Sequence, residues 1–417
     1  MSSRLKRVLE SEQILHSIKD PDVALERILY EARKIVNADA GTIYLYECVK
    51  DGDTVKSESL AFKYSQNDTQ QALLLPGQKL PYVFFSVPIS EKSISGYCFL
   101  SNEIINIPNA YEIPPEMPYK FNASTDMATG YKTISMMNVP LTSSSGKKIG
   151  VLQIINAKNK RGKIIPFDED SEICIRHFAL TATDTIERTT LFKTQFMRQV
   201  NIAKLRDPKE TGGHVQRVSS FSVEIYERWA FNHHVPDVEQ FRFKDNIALA
   251  ALLHDVGKVA IPDAILKLPR RFTDEERLQI NRHTYVTQFI FDELESELDK
   301  MTYEIALRHQ EKWDGSGYPG RYNPSDITDI STVLDTRSIP GLKGEEIPLC
   351  ARIVSVSDVF DALRSKRCYK EEWTEEDARQ EIVRCSGTQF DPEVVQAFDE
   401  IFESRILPIC RRFKDEE

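Results

Sequence analysis

The sequence predicts a multidomain chain: an α+β half, a long connecting helix, and an all-α half. Its 417 residues, 41% of them apolar, exceed what one typical domain needs for its core, so two domains are expected. Between about residues 20 and 170, runs such as "GTIYLYE" and "IGVLQIINA" are rich in β-branched and aromatic side chains, whereas "DVALERILYEARKIV" repeats its apolar positions every three or four residues. Beyond Asp207 the segments read as helices almost to the end, among them "DNIALAALLHDVG" and "DEERLQINRHTYVTQFIFDEL".

Taken in order, residues 1–19 form an N-terminal helix whose alternating charge excludes both a signal peptide and a membrane span. Residues 20–172 form the α+β domain. Residues 173–205 lack Gly and Pro and carry apolar residues at Ile175, Phe178, Ala182, Ile186, Phe192, Phe196 and Val200. That stripe predicts a linker helix, which either packs on its own domain or pairs with a second copy as a parallel coiled coil in a homodimer. Residues 206–417 form the helical domain. A formal net charge of −10 disfavours nucleic acid polymers and anionic membranes, so a phosphate ligand must be met by a local basic or metallic pocket. Seven cysteines without a CxxC pair suit reduced thiols in a cytoplasmic protein.

Four of the eight histidines, His214, His254, His283 and His309, stand in helical or loop contexts beside carboxylates. In "ALAALLHDVGK" an apolar helix ends abruptly in His254, Asp255, Gly257 and Lys258, and a buried ionised Asp requires a cation nearby. Glu210 and His214 lie four residues apart, on one face of a helix. Asp358 follows another apolar run, and Asp361 comes one turn later. Such an imidazole and carboxylate mixture suits iron, manganese or zinc, and paired metals are a general device for phosphoester cleavage.

The ordered set, from Glu210 and His214 through "HDVGK", His283, "HQEKWDGSGYP" and "SDVFDALRSKRCYK", resembles the HD-GYP family of metallohydrolases, which cleave cyclic di-GMP. The resemblance implies a helical bundle with Glu210, His214, His254, Asp255, His283, His309 and Asp358 as ligands to two or three divalent ions, iron or manganese favoured. It further implies catalytic roles for Asp255 and Lys258. The cyclic dinucleotide would be held by Lys258, Asp361, Arg367 and Lys370, with Gly317, Tyr318 and Pro319 forming the namesake loop. Two departures stand out. Gln310 occupies a position where the family usually has a second His, which predicts that one ion is held less tightly. Residues 321–340, rich in Ser, Thr, Asp and Pro, read as an inserted loop, either a lid or a passive surface excursion.

"SISGYCFLSNEIINIPNAY", "DMATGYKTISMMNVPL", "GKKIGVLQIINAKN" and "PFDEDSE" resemble a GAF domain over residues 20–172. That resemblance implies a six-stranded antiparallel sheet flanked by helices. A loose match to the pattern of cyclic-nucleotide-binding members, at Asn156, Lys158, Phe167 and Asp168, leaves a cyclic nucleotide or other small ligand as an open expectation.

Overall fold

The computed structural model describes residues 3–51, 54–76, 78, 80, 86–205, 212–268, 270–364 and 373–414. The chain divides into two compact units, residues 1–192 and 193–417.

The first unit opens with helices α1 (Ser3–Ser17) and α2 (Pro21–Val36). Asp20 starts α2 by accepting the backbone N–H groups of Asp22 and Val23, and Asn37 ends it in a left-handed conformation. The sheet follows: β1 (Ala38–Asp51), β2 (Thr54–Asn67), β3 (Ser86–Pro88), helix α3 (Ile94–Ser101), β4 (Ile105–Ile107), β5 (Met136–Thr142), β6 (Lys148–Lys158) and β7 (Ile164–Ile165). The strands run in the order β3-β2-β1-β6-β5-β4, with β7 on β6, and every pairing is antiparallel. The sheet therefore has seven strands rather than six, the extra one being a two-residue pairing. Tyr44, Leu60, Met136 and Val151 from the sheet pack with Ile94 and Cys98 of α3.

The four residues expected to mark a nucleotide site in this unit are engaged in its own bonding. Asn156, 1% exposed, donates to the Tyr131 hydroxyl and the Lys132 carbonyl and accepts from the Ile134 N–H. Lys158 pairs with buried Asp39. Asp168 accepts from Arg4 and from the Ser171 N–H, and Phe167 is buried.

Helix α4 (Glu169–Lys204) is the predicted long helix. Of its apolar stripe, Ile175, Phe178, Ala182 and Ile186 are buried in the first unit, and Phe196 and Val200 pack in the core of the second, as in the alternative of packing within the chain, whereas Phe192 is 37% exposed. A different set, Ile173, Leu180, Leu191 and Ile202, is exposed.

The second unit is helical: α5 (Gly212–Asn232), α6 (Asp237–Ala250), α7 (Asp274–Tyr285), α8 (Glu297–Arg308), α9 (Leu349–Arg364), α10 (Glu375–Arg384), α11 (Pro392–Glu400) and α12 (Leu407–Lys414). Phe360 on α9 makes edge-to-face contacts with Phe221, Phe398 and Phe402 at 5.2–5.8 Å between ring centroids. At roughly 100° per residue, anchoring Phe360 in the core turns Asp358 toward the opposite side of the helix. Among the described residues no helix is long and apolar enough to cross a membrane.

Candidate metal centre

Of the described ligand candidates, the four histidines and Asp255 are brought in by an interruption or an end of a helix, and Asp358 by a helix interior. His214 lies at the start of α5. After α6 the chain tightens into the 3-10 turn Ala251–Leu253, and His254 and Asp255 follow before a second such turn, Val256–Ala260. Gly257 is what permits this. A Cβ there would stand 1.8 Å from the His283 carbonyl oxygen, so only glycine lets the turn approach α7. Gly257→Ala is expected to destabilise the second unit by about 2 kcal/mol, within the usual range for overpacking, and to lower metal uptake, as read by thermal melting and metal analysis. His283 sits in the last turn of α7, His309 caps the C-terminal end of α8, and Asp358 lies within α9.

These six residues form two groups, His214–His254–Asp358 and Asp255–His283–His309, with ligand atoms inside each group lying within 4.8 Å of one another. Asp255 joins them. Its Oδ1 stands 3.3 Å from His283 Nε2 and 3.7 Å from His309 Nε2, while its Oδ2 is 3.3 Å from His254 Nε2. The imidazoles share one arrangement. Nδ1 of His254, His283 and His309 meets the carbonyl oxygens of Ala251, Ile280 and Ile305 at 2.9, 2.7 and 3.0 Å, and Nδ1 of His214 meets Asp361 Oδ2 at 2.8 Å. A carbonyl or carboxylate oxygen only accepts, so each Nδ1 carries a proton and, in the neutral ring, the lone pair resides on Nε2, which is turned toward Asp255 or Asp358.

The electrostatics call for a cation. The buried Nε2 atoms of His283 and His309 and Oδ1 of Asp255 have no hydrogen-bond partner, which is costly unless an ion takes them up. Burial, foremost, pushes His283 down to about 4, so it is neutral at ordinary pH and its lone pair is available. Burial opposes charge on His214, but the Asp358 and Asp361 carboxylates outweigh it and lift its pKa. Burial likewise opposes charge on Asp255, yet Lys258 and the neighbouring imidazoles hold its carboxyl well below the usual range. The donor set, four imidazole nitrogens and two carboxylates in two adjoining groups, fits a pair of divalent ions.

Other expected residues fall into place unevenly. Lys258 Nζ lies 2.6 Å from Asp255 Oδ2. Asp361, expected to hold the dinucleotide, is fully buried and accepts from His214 Nδ1, from Arg217 at 2.7 and 3.0 Å and from Arg364 at 3.0 Å, so its oxygens are engaged within the domain and it orients the His214 ring. Tyr318 is half-buried with its ring 6.3 Å from that of His283, and burial raises its phenol pKa. A Cβ on Gly317 would stand 2.2 Å from Lys312 N, so its glycine closes the loop, and Pro319 is buried behind it. The backbone carbonyl of Gln310 accepts the Tyr318 N–H at 3.2 Å. Glu210, Arg367 and Lys370 lie outside the described residues.

Sequence reasoning missed Arg217, Arg364 and Glu311. The first two follow His214 and Asp361 by three residues, one helical turn, which was the available signal. Glu311 is 3% exposed and accepts from Arg308, from the Gly320 N–H and from the Leu342 N–H, knitting the loop together.

Comparison with known proteins matches residues 20–186 to the GAF domain and residues 201–335 and 338–394 to the HD domain. The chain carries a GAF domain followed by an HD domain. Relatives of this GAF–HD protein include a probable cyclic di-GMP phosphodiesterase of Vibrio cholerae, 36% identical over 223 residues, which are 52% of this chain and 46% of the relative. A 3'3'-cGAMP-specific phosphodiesterase 2 of the same organism is 38% identical over 188 residues, 45% of this chain and 31% of the relative. A cyclic di-GMP phosphodiesterase of Thermotoga maritima is 38% identical over 216 residues, 52% of this chain and 50% of the relative. The matches thus span half or less of these relatives' own lengths.

Proposed function

We propose that the HD domain of this protein is a divalent-metal phosphodiesterase that hydrolyses cyclic di-GMP to pGpG or GMP, under regulation by the GAF domain. The observation that carries this reading is the common orientation of four imidazoles, each tied at Nδ1 and turned through Nε2 toward the carboxylates of Asp255 and Asp358. His214, His254 and Asp358 would hold one ion and Asp255, His283 and His309 the other, with iron or manganese favoured. Bound ions would supply the Lewis acidity that activates water and neutralises charge on the phosphodiester. The chain's own contribution is orientation. Asp361 holds His214, backbone carbonyls hold the other three rings, Asp255 shares its charge with Lys258, and Tyr318, its ring 6.3 Å from that of His283, would meet the nucleotide.

The test is to purify the protein without oxygen, measure iron, manganese and zinc, and follow cyclic di-GMP and cyclic GMP-AMP by chromatography. Conversion that disappears in His254→Ala supports the reading. Gln310 in place of a second His, and the similarity to the cyclic GMP-AMP enzyme, favour two variants of it: a receptor with little turnover, or a hydrolase of the mixed dinucleotide. Tight binding without conversion under any metal points to the first, and preferential conversion of cyclic GMP-AMP points to the second. Gln310→His is expected to retain one ion roughly tenfold more tightly, as an added imidazole donor should; unchanged affinity would show that position to be silent.

The homodimer is assigned to the exposed line of α4 formed by Ile173, Leu180, Leu191 and Ile202. At about 100° per residue these fall within about 20° of a common line. Leu180→Glu with Leu191→Glu is expected to yield a monomer by light scattering.

A further inference from the structure

Residues 321–340 contain no regular element apart from the short 3-10 turn Pro324–Asp326, yet they do not lie loose on the surface. The excursion is closed at its neck. The Arg321 N–H donates to the Pro340 carbonyl at 2.9 Å, and the two oxygens of Glu311 accept the flanking N–H groups of Gly320 and Leu342 at 2.8 and 3.1 Å. From that neck the loop runs back along α7. Asn281 Nδ2 donates to Thr336 Oγ1 at 3.0 Å, and the Leu334 N–H donates to the Tyr285 hydroxyl at 3.0 Å. Ile327, 4% exposed, packs with Tyr285, Val286 and Leu307. Arg282, 4% exposed, spans two segments: one guanidinium nitrogen donates to the Ser331 carbonyl at 3.1 Å and the other to the Ala260 carbonyl at 2.6 Å, at the end of the turn that contains Lys258.

Asn281 and Tyr285 share one face of α7, and His283 between them points the other way. The loop therefore grips the outer face of the helix whose inner face offers a ligand. Neither a lid nor a passive excursion describes such an arrangement.

We propose that residues 321–340 are a strap that locks α7 in place, with Arg282 as its positioning residue, so that His283 is held for the ion of the Asp255–His283–His309 group and not for the other. This inference rests on the metal-centre reading above. The supports that orient a ligand are commonly worth 10–100-fold in metal affinity, and an Arg with two separate carbonyl contacts is not replaceable by the single ammonium of Lys.

The experiment uses the whole 417-residue chain. In one variant residues 322–339 are replaced by two glycines, which keeps the neck; in a second, Arg282→Lys is made alone. Manganese is titrated into metal-free protein against a chelator, and hydrogen exchange is followed over residues 281–289. The expected result is that one of two manganese affinities weakens by about 10–100-fold, the other stays within about twofold, and exchange over 281–289 accelerates. Two unchanged affinities in the folded variants overturn the inference, and so does an equal loss of both, because the loop would then support the domain and not one site. Should the shortened chain fail to fold, Arg282→Lys is judged by the same split. A wild-type protein that takes up no manganese, iron or zinc at all overturns the metal reading itself, a result separate from either outcome.

Discussion

Asp255→Asn is expected to remove at least one of the two proposed ions and to lower the proposed cyclic di-GMP hydrolysis on the order of 10³-fold or more, the size of a lost contact to developing charge. The reason is geometric. Asp255 is the only residue whose two oxygens face different groups among the described residues, Oδ1 toward His283 and His309 and Oδ2 toward His254. Asparagine keeps the shape, but it presents one neutral oxygen and one N–H donor where two anionic oxygens stood, and an N–H aimed at a cation is repulsive. Replacing Lys258, which neutralises only part of the same carboxylate, is expected to cost activity without lowering metal content. A suitable control is His233→Ala, because that ring stacks on Trp229 and pairs with Glu393 through Nε2 at 3.0 Å, away from the six ligands. Metal stoichiometry by mass spectrometry, measured beside turnover, decides the matter: full occupancy by two ions in Asp255→Asn would sink the bridging assignment.

Much of this site was legible because its chemistry is written in residue types at fixed intervals. An apolar helix ending in His254–Asp255 cannot be an ordinary core element, and that alone directs attention to a cation. What the sequence could not settle was the direction in which a residue faces. Asp358 and Asp361 are both acidic, both on α9 and three positions apart, yet Asp358 faces the Nε2 atoms of His214 and His254 whereas Asp361 meets His214 Nδ1 and two arginines, a difference of about 60° around the helix. The stripe of α4 shows the same ambiguity in another form. Periodicity identifies an apolar face, but not what covers it, and here Ile175 to Ile186 are covered by their own domain. The loop 321–340 was judged by its polar majority, whereas Ile327 and Leu334 decide where it docks. The GAF pattern was legible as a fold, and the sequence could not show that Asn156 and Lys158 bond to Tyr131 and Asp39 inside the domain.

Asp361→Ala separates a structural role from a substrate-binding one. The Asp361 side chain is wholly buried beside the side chains of Arg217 and Arg364, each only 6% exposed, so its removal leaves two guanidinium groups and an imidazole without their shared counter-charge. Removing one partner of a buried ion pair typically costs about 3–5 kcal/mol. For a unit of this size that corresponds to a fall of roughly 6–20 °C in the melting temperature of the HD transition. His214 would also lose the contact that fixes its tautomer, so affinity at the His214–His254–Asp358 group should weaken by about 10–100-fold. The pH dependence has a definite sign. Burial resists the charge on Asp361, but His214 and Arg217 outweigh it and hold the carboxyl at about 2, below its ordinary 3.8. The wild type therefore has this contribution in full above 3.8 and loses it as pH falls through about 2, an effect of about 2 kcal/mol. Asp361→Asn should lack that acid-dependent component and melt lower at neutral pH. A residue that contacted the nucleotide would behave otherwise, with KM raised and the melting curve unmoved, and that pattern would return Asp361 to the substrate cavity.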